Sequence, residues 1–194
     1  MRLFLAIELP EEVRQHLATW GPSYVPVVHT YLKQRQIDAR LSVTPPQNLH
    51  VTLKFLGEVE ESAVKPLCDA LGGVPVEAAS PVRAGHLELL PQRGPVRVVA
   101  AGLDGDVGRL DRLYRAVEDA CERERFAPER RPYLPHVTLA RARDPLPGER
   151  RDRLREMLDR GFPGPNFEVR GFTFFESRLG AGPPQYIRLS RFGA

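Results

Sequence analysis

The chain has 194 residues, of which 42% are hydrophobic and 27% charged, and its formal net charge is +3. This length suits one large domain or two tightly joined lobes. The small net charge argues against a protein that coats nucleic acid wholesale. No apolar run approaches the length of a membrane span, and the first residues lack the pattern of a signal peptide. We therefore expect a cytoplasmic protein with no membrane segment.

The first half of the chain mixes strand and helix patterns. Apolar residues alternate from Arg2 to Leu9, which indicates a strand, and Pro10 then opens a helix. Gly21, Pro22 and Pro26 are expected to interrupt that helix. The later elements predicted in this half are a helix over about 27–37 with His29 on its surface, a strand within 42–57, and a helix over 60–71.

The second half begins with two strand patterns joined by a Pro-Gly turn. The clearest helix of the chain follows, from Asp106 to Arg125, with an apolar stripe that predicts core packing. The remaining predicted elements are strands over 76–90 and 96–101, a strand at 136–141, a helix over 144–162, and closing strands near 167–176 and 185–192. His86 lies in the first of these strands and is interpreted as structural.

Two copies of one phrase organise these elements. His50-Val51-Thr52-Leu53 and His136-Val137-Thr138-Leu139 lie 86 residues apart, each in a strand pattern. Side chains alternate along a strand, so each His shares a face with its Thr while Val and Leu take the other face. Given five His and six Thr, two such spacings arise by chance in only about 1% of chains of this composition. We therefore interpret both motifs as functional.

The repeat and the element order predict the fold class. Strict βαβ alternation is absent, which favours antiparallel over doubly wound parallel sheets. We expect a single bilobal α+β domain over residues 1–194, produced by internal duplication with interleaved lobes. Its two pseudo-symmetric lobes would be mostly antiparallel sheet plus helices, with a central cleft that carries one motif strand from each lobe.

Two imidazoles and two hydroxyls at one cleft suit acid–base chemistry on a phosphodiester. One imidazole can activate the attacking oxygen while the other protonates the leaving oxygen. The hydroxyls can donate to the non-bridging oxygens, where charge develops. The motifs lack the carboxylates of a two-metal site, although a single metal held by the two histidines stays open as an alternative.

The chain resembles the 2H phosphoesterases, in the bacterial and archaeal RNA 2′,3′-cyclic phosphodiesterase branch, also called the 2′-5′ RNA ligase family. The resemblance runs from Arg2 to Phe192 and rests on four segments, two of which contain the motifs. They are Arg2-Leu3-Phe4, the motif phrase from Asn48 to Gly57, the motif phrase from Arg131 to Arg141, and Glu176-Ser177-Arg178-Leu179.

The resemblance implies a metal-independent hydrolysis of RNA 2′,3′-cyclic phosphate ends to 2′-phosphomonoesters, without a cofactor. It implies that His50 is the proton donor and His136 the proton acceptor, with Thr52 and Thr138 beside them. The partner would be an RNA 3′ end, and the protein is expected to be a monomer. The family also joins RNA ends in a reversible 2′-5′ ligation.

Three residues outside the motifs are candidates for binding substrate. The resemblance places Arg141 where the family has a phosphate-contacting arginine, although strict strand alternation sets it opposite His136, so a twist or a bulge there is required. Tyr133 and Phe4 could stack on bases, or belong to the core. Lys54 shares parity with His50 and could face the same cleft, or protect an exposed edge.

Two other functions remain open from the sequence. The chain could bind RNA ends without catalysis, or act principally as a 2′-5′ RNA ligase. Turnover of a small 2′,3′-cyclic nucleotide in EDTA separates the first from an enzyme, and a comparison of hydrolysis with end-joining on one RNA separates the second.

Overall fold

A computed structural model describes residues 1–77, 80–159 and 164–193. Its strands are β1 (Arg2–Glu8), β2 (Leu41–Val43), β3 (His50–Glu58), β4 (Ser80–Leu90), β5 (Val96–Gly105), β6 (His136–Leu146), β7 (Asn166–Val169), β8 (Gly171–Arg178) and β9 (Gln185–Gly193). Its helices are α1 (Glu11–Ala18), α2 (Trp20–Lys33), α3 (Glu61–Gly72), α4 (Val107–Arg123) and α5 (Arg151–Leu158). No helix in the described ranges is both long and apolar enough to cross a membrane.

The strands form one antiparallel sheet in the order β7-β4-β5-β6-β3-β1-β8-β9, with β2 paired to β6. The α+β class and the antiparallel sheet are therefore confirmed. The sheet consists of two four-stranded halves that meet at the motif strands, where a single residue pair, Val51 with Val137, joins β3 to β6. Beyond this pair the two halves are held together by helix packing rather than by a long ladder.

The two halves have matching order and register. From the junction outward one half runs β3-β1-β8-β9 and the other β6-β5-β4-β7. Val51 pairs with Ile7 of β1, and Val137 pairs with Ala101 of β5, at the same offset from each motif. An antiparallel pair is itself two-fold symmetric, so the Val51–Val137 pair lies on the pseudo-two-fold axis of the sheet. Descent of the two halves from a duplication stays a prediction.

One face of the sheet packs on the helices and the other is open. Val51, Leu53, Val137 and Leu139 are buried in the main core, together with the apolar stripe of α4. We call the opposite side the open face; it carries His50, Thr52, His136 and Thr138. Strand alternation therefore separates the chemistry of each motif from its packing.

Each motif strand contains a β-bulge at its Leu. On β3, Thr52 pairs with Ala6 and Lys54 with Leu5, which leaves Leu53 as an extra residue. On β6, Thr138 pairs with Ala100 and Ala140 with Val99, which leaves Leu139 extra. A bulge shifts the alternation by one residue, so every later side chain of the strand changes face.

The bulge corrects the first interpretation of Lys54. The residue pairs with Leu5 and points into the core, where only 4% of its side chain is exposed. Its Nζ donates to both carboxylate oxygens of Glu118 on α4 at 2.8 Å and to the Ala127 carbonyl at 2.9 Å. Lys54 thus fixes α4 and the segment after it against the first motif strand.

The predicted break at Pro22 and Pro26 is wrong. The second helix begins at Trp20 and runs through both prolines to Lys33. Pro22 lies in the first turn, where its missing N–H has no helical acceptor to lose. Buried Val25 and Val28 anchor the following turns, and this packing outweighs the one hydrogen bond that Pro26 removes.

Smaller differences concern the predicted helix over 144–162, the predicted strand over 76–90 and His29. Residues 144–146 extend β6 instead of beginning a helix, and α5 covers only Arg151–Leu158. The rest of that predicted helix, at 160–162, lies outside the described residues, as do positions 78 and 79 of the predicted strand over 76–90. His29 also has a specific contact, because its Nε2 accepts the Leu41 N–H at 3.0 Å and joins α2 to β2.

The Lys54–Glu118 pair makes a prediction for stability. Glu118→Ala leaves a buried ammonium without its counter-ion, so we expect a loss of about 3–5 kcal/mol in the free energy of unfolding. Urea denaturation measures this loss. Asp69→Ala removes the exposed partner of Lys65 and should cost less than about 1 kcal/mol. Equal effects of the two variants would contradict the buried role.

Candidate active site

The backbone holds the two motif histidines in the same way. His50 Nδ1 lies 2.7 Å from the Asn48 carbonyl, and His136 Nδ1 lies 2.7 Å from the Leu134 carbonyl. A carbonyl can only accept, so Nδ1 carries the proton in each ring. The neutral form of each ring therefore has its lone pair on Nε2. Both imidazoles are thereby fixed in one tautomer before any ligand binds.

One of the two motif threonines, Thr52, has its hydroxyl beside an imidazole. The Thr52 hydroxyl is 3.1 Å from His50 Nε2 and donates to it when the ring is neutral. Continuing the Val51–Val137 register sets His50 across from Thr138, and Thr52 across from His136. The two imidazoles are then diagonal neighbours, about 7–8 Å apart at the backbone. A phosphate group can lie between them.

Burial and nearby charge lower the pKa values of both histidines. The pKa of His50 falls to about 4, chiefly because the ring is buried, and the positive charges of Arg141 and protonated His136 act in the same direction. The pKa of His136 is also lowered, first by burial and then by Arg141, while the Leu134 carbonyl and Glu88 oppose the shift. Both rings are therefore neutral near neutral pH in the unliganded protein.

The bulge at Leu139 brings Arg141 to the open face. Arg141 pairs with Val98, which lies two residues from the partner of Thr138 on β5, so Arg141 and Thr138 share a face. Its charge acts on both motif histidines and on Tyr186. Its side chain makes no hydrogen bond or ion pair within the described residues. The guanidinium is thus exposed on the open face and its charge acts on both imidazoles, while phosphate contact by Arg141 stays a prediction.

An aromatic cluster surrounds His50, and it corrects the interpretation of Phe4. Phe4 is only 2% exposed, and its ring packs 5.2 Å from the imidazole, so it supports His50 and offers no open face to a base. Phe55 packs on Phe4 and is 65% exposed. Tyr186 contacts both Phe4 and His50 edge to face. These two aromatic residues, which the sequence interpretation missed, are the ones available at the surface of the cluster.

Tyr133 lies on the helix side of the sheet. Its ring stacks on Tyr114 of α4 at 4.1 Å, with an angle of 3° between the ring planes. Its hydroxyl is buried and has no hydrogen-bond partner among the described residues, and burial raises the pKa of this hydroxyl. This position agrees with the core alternative for Tyr133, and we do not include it in the site.

A second missed group adjoins the second motif. His86 of β4 pairs with Gly102 of β5, and Gly102 pairs in turn with His136 of β6. In the same way Glu88 pairs with Ala100, which pairs with Thr138. Gly102 has no side chain, and a Cβ there would overlap the His86 ring. His86 therefore extends over the residue that adjoins His136.

Two carboxylates hold His86 in this position. Its Nδ1 is 2.9 Å from Asp104 and its Nε2 is 3.2 Å from Glu88. The sequence shows that His86 and Glu88 lie on the same face of their strand, because they are two residues apart. It does not show which face of the sheet this is, because a register shift at Gly85 separates them from the start of β4.

The titratable and charged groups near His136 are thus Arg141 on its own strand, His50 on β3, and His86 and Glu88 on β4, with Asp104 of β5 behind His86. Across the three described ranges, no group of three or more His, Cys, Asp or Glu residues is arranged to hold a metal ion. The site is therefore an imidazole pair with one arginine, an aromatic wall on the His50 side and an acidic pair on the His136 side.

Several known proteins are similar to this chain over most of its length. A protein called RNA 2′,3′-cyclic phosphodiesterase in Thermus thermophilus is 33% identical over 198 residues, covering 99% of this chain and 89% of the relative. One of the same name in Methanocaldococcus jannaschii is 26% identical over 189 residues and 96% of both chains.

Solved structures have the same fold. A crystal structure from Thermus thermophilus superposes with a TM-score of 0.71 at 30% identity, covering 100% of this chain and 97% of the other. Escherichia coli LigT complexed with 3′-AMP has a TM-score of 0.71 at 23% identity, with coverage of 99% and 97%, and supports the fold alone. A family model described as LigT like Phosphoesterase matches residues 7–100 and 103–185. The chain therefore belongs to the LigT-like phosphoesterase family.

Proposed function

We propose that this chain hydrolyses 2′,3′-cyclic phosphates at RNA 3′ ends to 2′-phosphomonoesters, with an imidazole pair as acid and base and with no metal ion. The observation that carries the proposal is that the two His-x-Thr motifs lie on strands joined by the Val51–Val137 pair. In both motifs the histidine has its lone pair on Nε2. The relatives named RNA 2′,3′-cyclic phosphodiesterase supply the substrate class.

The reaction needs one base and one acid on opposite sides of phosphorus. His136 takes a proton from water through Nε2 as the water oxygen attacks phosphorus. The bond from phosphorus to the 3′ oxygen breaks, and His50, protonated at Nε2, gives its proton to that oxygen. The phosphate remains on the 2′ oxygen. Imidazoles on diagonal positions of two strands suit this in-line geometry.

The other groups act on the charge of the phosphate. Thr52 and Thr138 donate to non-bridging oxygens, and the Arg141 guanidinium neutralises the charge that develops there. The bound phosphate in turn offsets the burial and the positive charge that lower both histidine pKa values. Substrate binding thus helps to protonate His50, which is neutral in the unliganded protein.

An end-group analysis of the product tests the proposal directly. A short RNA that ends in a 2′,3′-cyclic phosphate is incubated with the protein in EDTA, and the product phosphate is located by NMR. A 2′-phosphomonoester supports the proposal. Binding without turnover would favour an RNA-end-binding protein, and joined 2′-5′ ends in excess of the hydrolysed product would favour a ligase. A monomeric state and a cytoplasmic location remain predictions.

Removal of either imidazole should abolish most of the activity. We expect His50→Ala and His136→Ala each to lower turnover by about two to four orders of magnitude, because each deletes one proton-transfer group. Turnover of 2′,3′-cyclic AMP in EDTA measures this loss, and circular dichroism checks the fold. His29→Ala, which removes a histidine between α2 and β2, is the matched control. Near-normal rates in either motif variant would rule out the two-imidazole mechanism.

The pH dependence should reflect the lowered histidine pKa values. The active form has one proton on the pair, so kcat/KM should follow a bell that belongs to both residues together. Burial and Arg141 lower both pKa values, so we expect the maximum of kcat/KM below the ordinary histidine value of about 6.5. The bound anion raises both values, so the maximum of kcat should lie at higher pH.

Rates measured from acid to alkaline pH with the chelator present check this prediction. The His136 variant should lose mainly the acid limb, and the His50 variant mainly the alkaline limb. A kcat/KM profile centred above the ordinary histidine value, or one that requires a divalent ion, would contradict it.

The charge of Glu88 should help to set the pKa of His136, the proposed base. The carboxylate raises the pKa of His136, so Glu88→Gln should lower that pKa and move the acid limb of kcat/KM to lower pH. NMR titration of the His136 ring gives the first readout and the rate profile gives the second. Glu122→Gln, an exposed substitution on α4, is the control and should leave both unchanged. An unmoved His136 titration in the Glu88 variant would exclude this role.

A further inference from the structure

We propose that a basic groove beside His50 binds the RNA strand upstream of the cyclic phosphate, so that the protein prefers oligoribonucleotide ends to single cyclic nucleotides. We call the groove the strand groove and define it by Arg14, Arg170, Arg188 and Arg191. This inference rests on the proposed function and extends it to the length of the substrate.

The assignment of acid and base fixes the side on which the RNA lies. His50 protonates the 3′ oxygen, which belongs to the terminal ribose, while water approaches from the side of His136. The ribose therefore lies on the His50 half of the open face, and the chain attached to its 5′ oxygen must leave from that half. Glu88, whose carboxylate contacts the His86 ring and no arginine among the described residues, borders the other half, where a polyanion would be repelled.

The cavities of the protein continue in that direction. One cavity, of about 440 Å³, is lined by His50, Phe175, Tyr186 and Arg188. A larger one, of about 610 Å³, is lined by Thr173, Arg170 and Arg191. Both are bordered by Glu8, Arg14 and Arg188, so they form a continuous path away from the imidazole. Phe175 and Tyr186 lie at the end of the path next to His50, and Arg170 and Arg191 lie at the other end.

Two arginines of the strand groove, Arg188 and Arg170, are oriented by carboxylates and still have donors available. Arg188 binds Glu8 through Nε and Nη2, and Arg170 binds Glu168 through the same two atoms. In each case Nη1 has no hydrogen-bond acceptor in the described part of the chain. More than half of each side chain is exposed. A guanidinium fixed on one edge presents its other edge to a phosphate without further loss of rotamer freedom.

Three glutamates line the strand groove, and two of them, Glu8 and Glu168, are paired with its arginines, while Glu12 is the third. Glu8 accepts a hydrogen bond from Thr173 at 2.7 Å and a bidentate contact from Arg188. These hydrogen bonds to Arg188 and Thr173, with the charges of Arg188 and Arg191, keep the pKa of Glu8 low against the effect of its burial. A carboxylate whose charge is already neutralised by an arginine holds the side chain of that arginine in place.

Two substrates with the same reacting end test the inference. Hydrolysis of 2′,3′-cyclic AMP is compared with hydrolysis of a tetraribonucleotide that ends in the same cyclic adenosine phosphate. We expect a higher kcat/KM for the tetramer, through a lower KM, and a steeper fall with salt. Phosphate contacts to single strands contribute about 0.7 each to the slope of log affinity against log salt.

Substitution then locates the contacts. Arg170→Gln should lower the tetramer-to-mononucleotide ratio of kcat/KM by about two- to fivefold, the effect of one exposed charge contact, and the Arg170→Gln, Arg191→Gln double variant should lower it further. Arg115→Gln is the matched control, because this exposed arginine is also paired with a carboxylate but lies on α4. It should leave the ratio unchanged.

Binding is measured separately by fluorescence anisotropy with a labelled tetramer that ends in a 2′-phosphate. Equal kcat/KM for the two substrates, or a ratio that the double variant does not change, would overturn the strand groove while leaving the proposed hydrolysis intact. Absence of turnover on both substrates would overturn the proposed function. Tetramer binding that weakens in the double variant, but not in Arg115→Gln, would then still support the strand groove.

Discussion

Two extra residues, Leu53 and Leu139, determine which side chains reach the site. Each is a bulge in a motif strand, and each reverses the alternation of the residues that follow. Without the first bulge, Lys54 would face the open side of the sheet and Glu118 would be a buried carboxylate without its partner. Without the second, Arg141 would point into the core. Because both bulges are anchored by buried Leu side chains, core packing and site geometry depend on the same two residues.

The charge of the two imidazoles is set by their burial, and their tautomer is set by their hydrogen bonds to the backbone. The Asn48 carbonyl and the Leu134 carbonyl each fix one tautomer, while burial keeps both rings uncharged until an anion arrives. Asn48 also donates from its side-chain amide to the Pro184 carbonyl at 2.8 Å. The loop between β8 and β9 is thereby joined to the backbone that orients His50, so the position of this ring depends on a segment more than 130 residues away.

The motif residues could be predicted from the sequence because the repeat is exact and alternation places His and Thr on one face. The class of the sheet followed from element order. The orientation of Lys54 was harder to predict, because the alternation of a strand does not reveal a bulge. The burial of Phe4 was also hard to predict, because the sequence carries no signal for how deeply an aromatic strand residue is buried. Tyr186 and Glu88 come from strands distant in the chain, and only the register places them near the histidines. The course of α2 through Pro22 and Pro26 depended on tertiary packing that local propensity does not contain.

The two halves of the sheet are similar in register but differ in content at several positions, one of which is a matched pair. Phe55 and Arg141 each lie five residues after a motif histidine and two residues after equivalent bulges. A fully symmetric site would accept a cyclic phosphate in either of two orientations and would release the 2′ or the 3′ oxygen without distinction. An aromatic ring on one side and a guanidinium on the other remove that equivalence. The regiochemistry of the proposed cleavage is thus encoded by the divergence of one matched pair of residues.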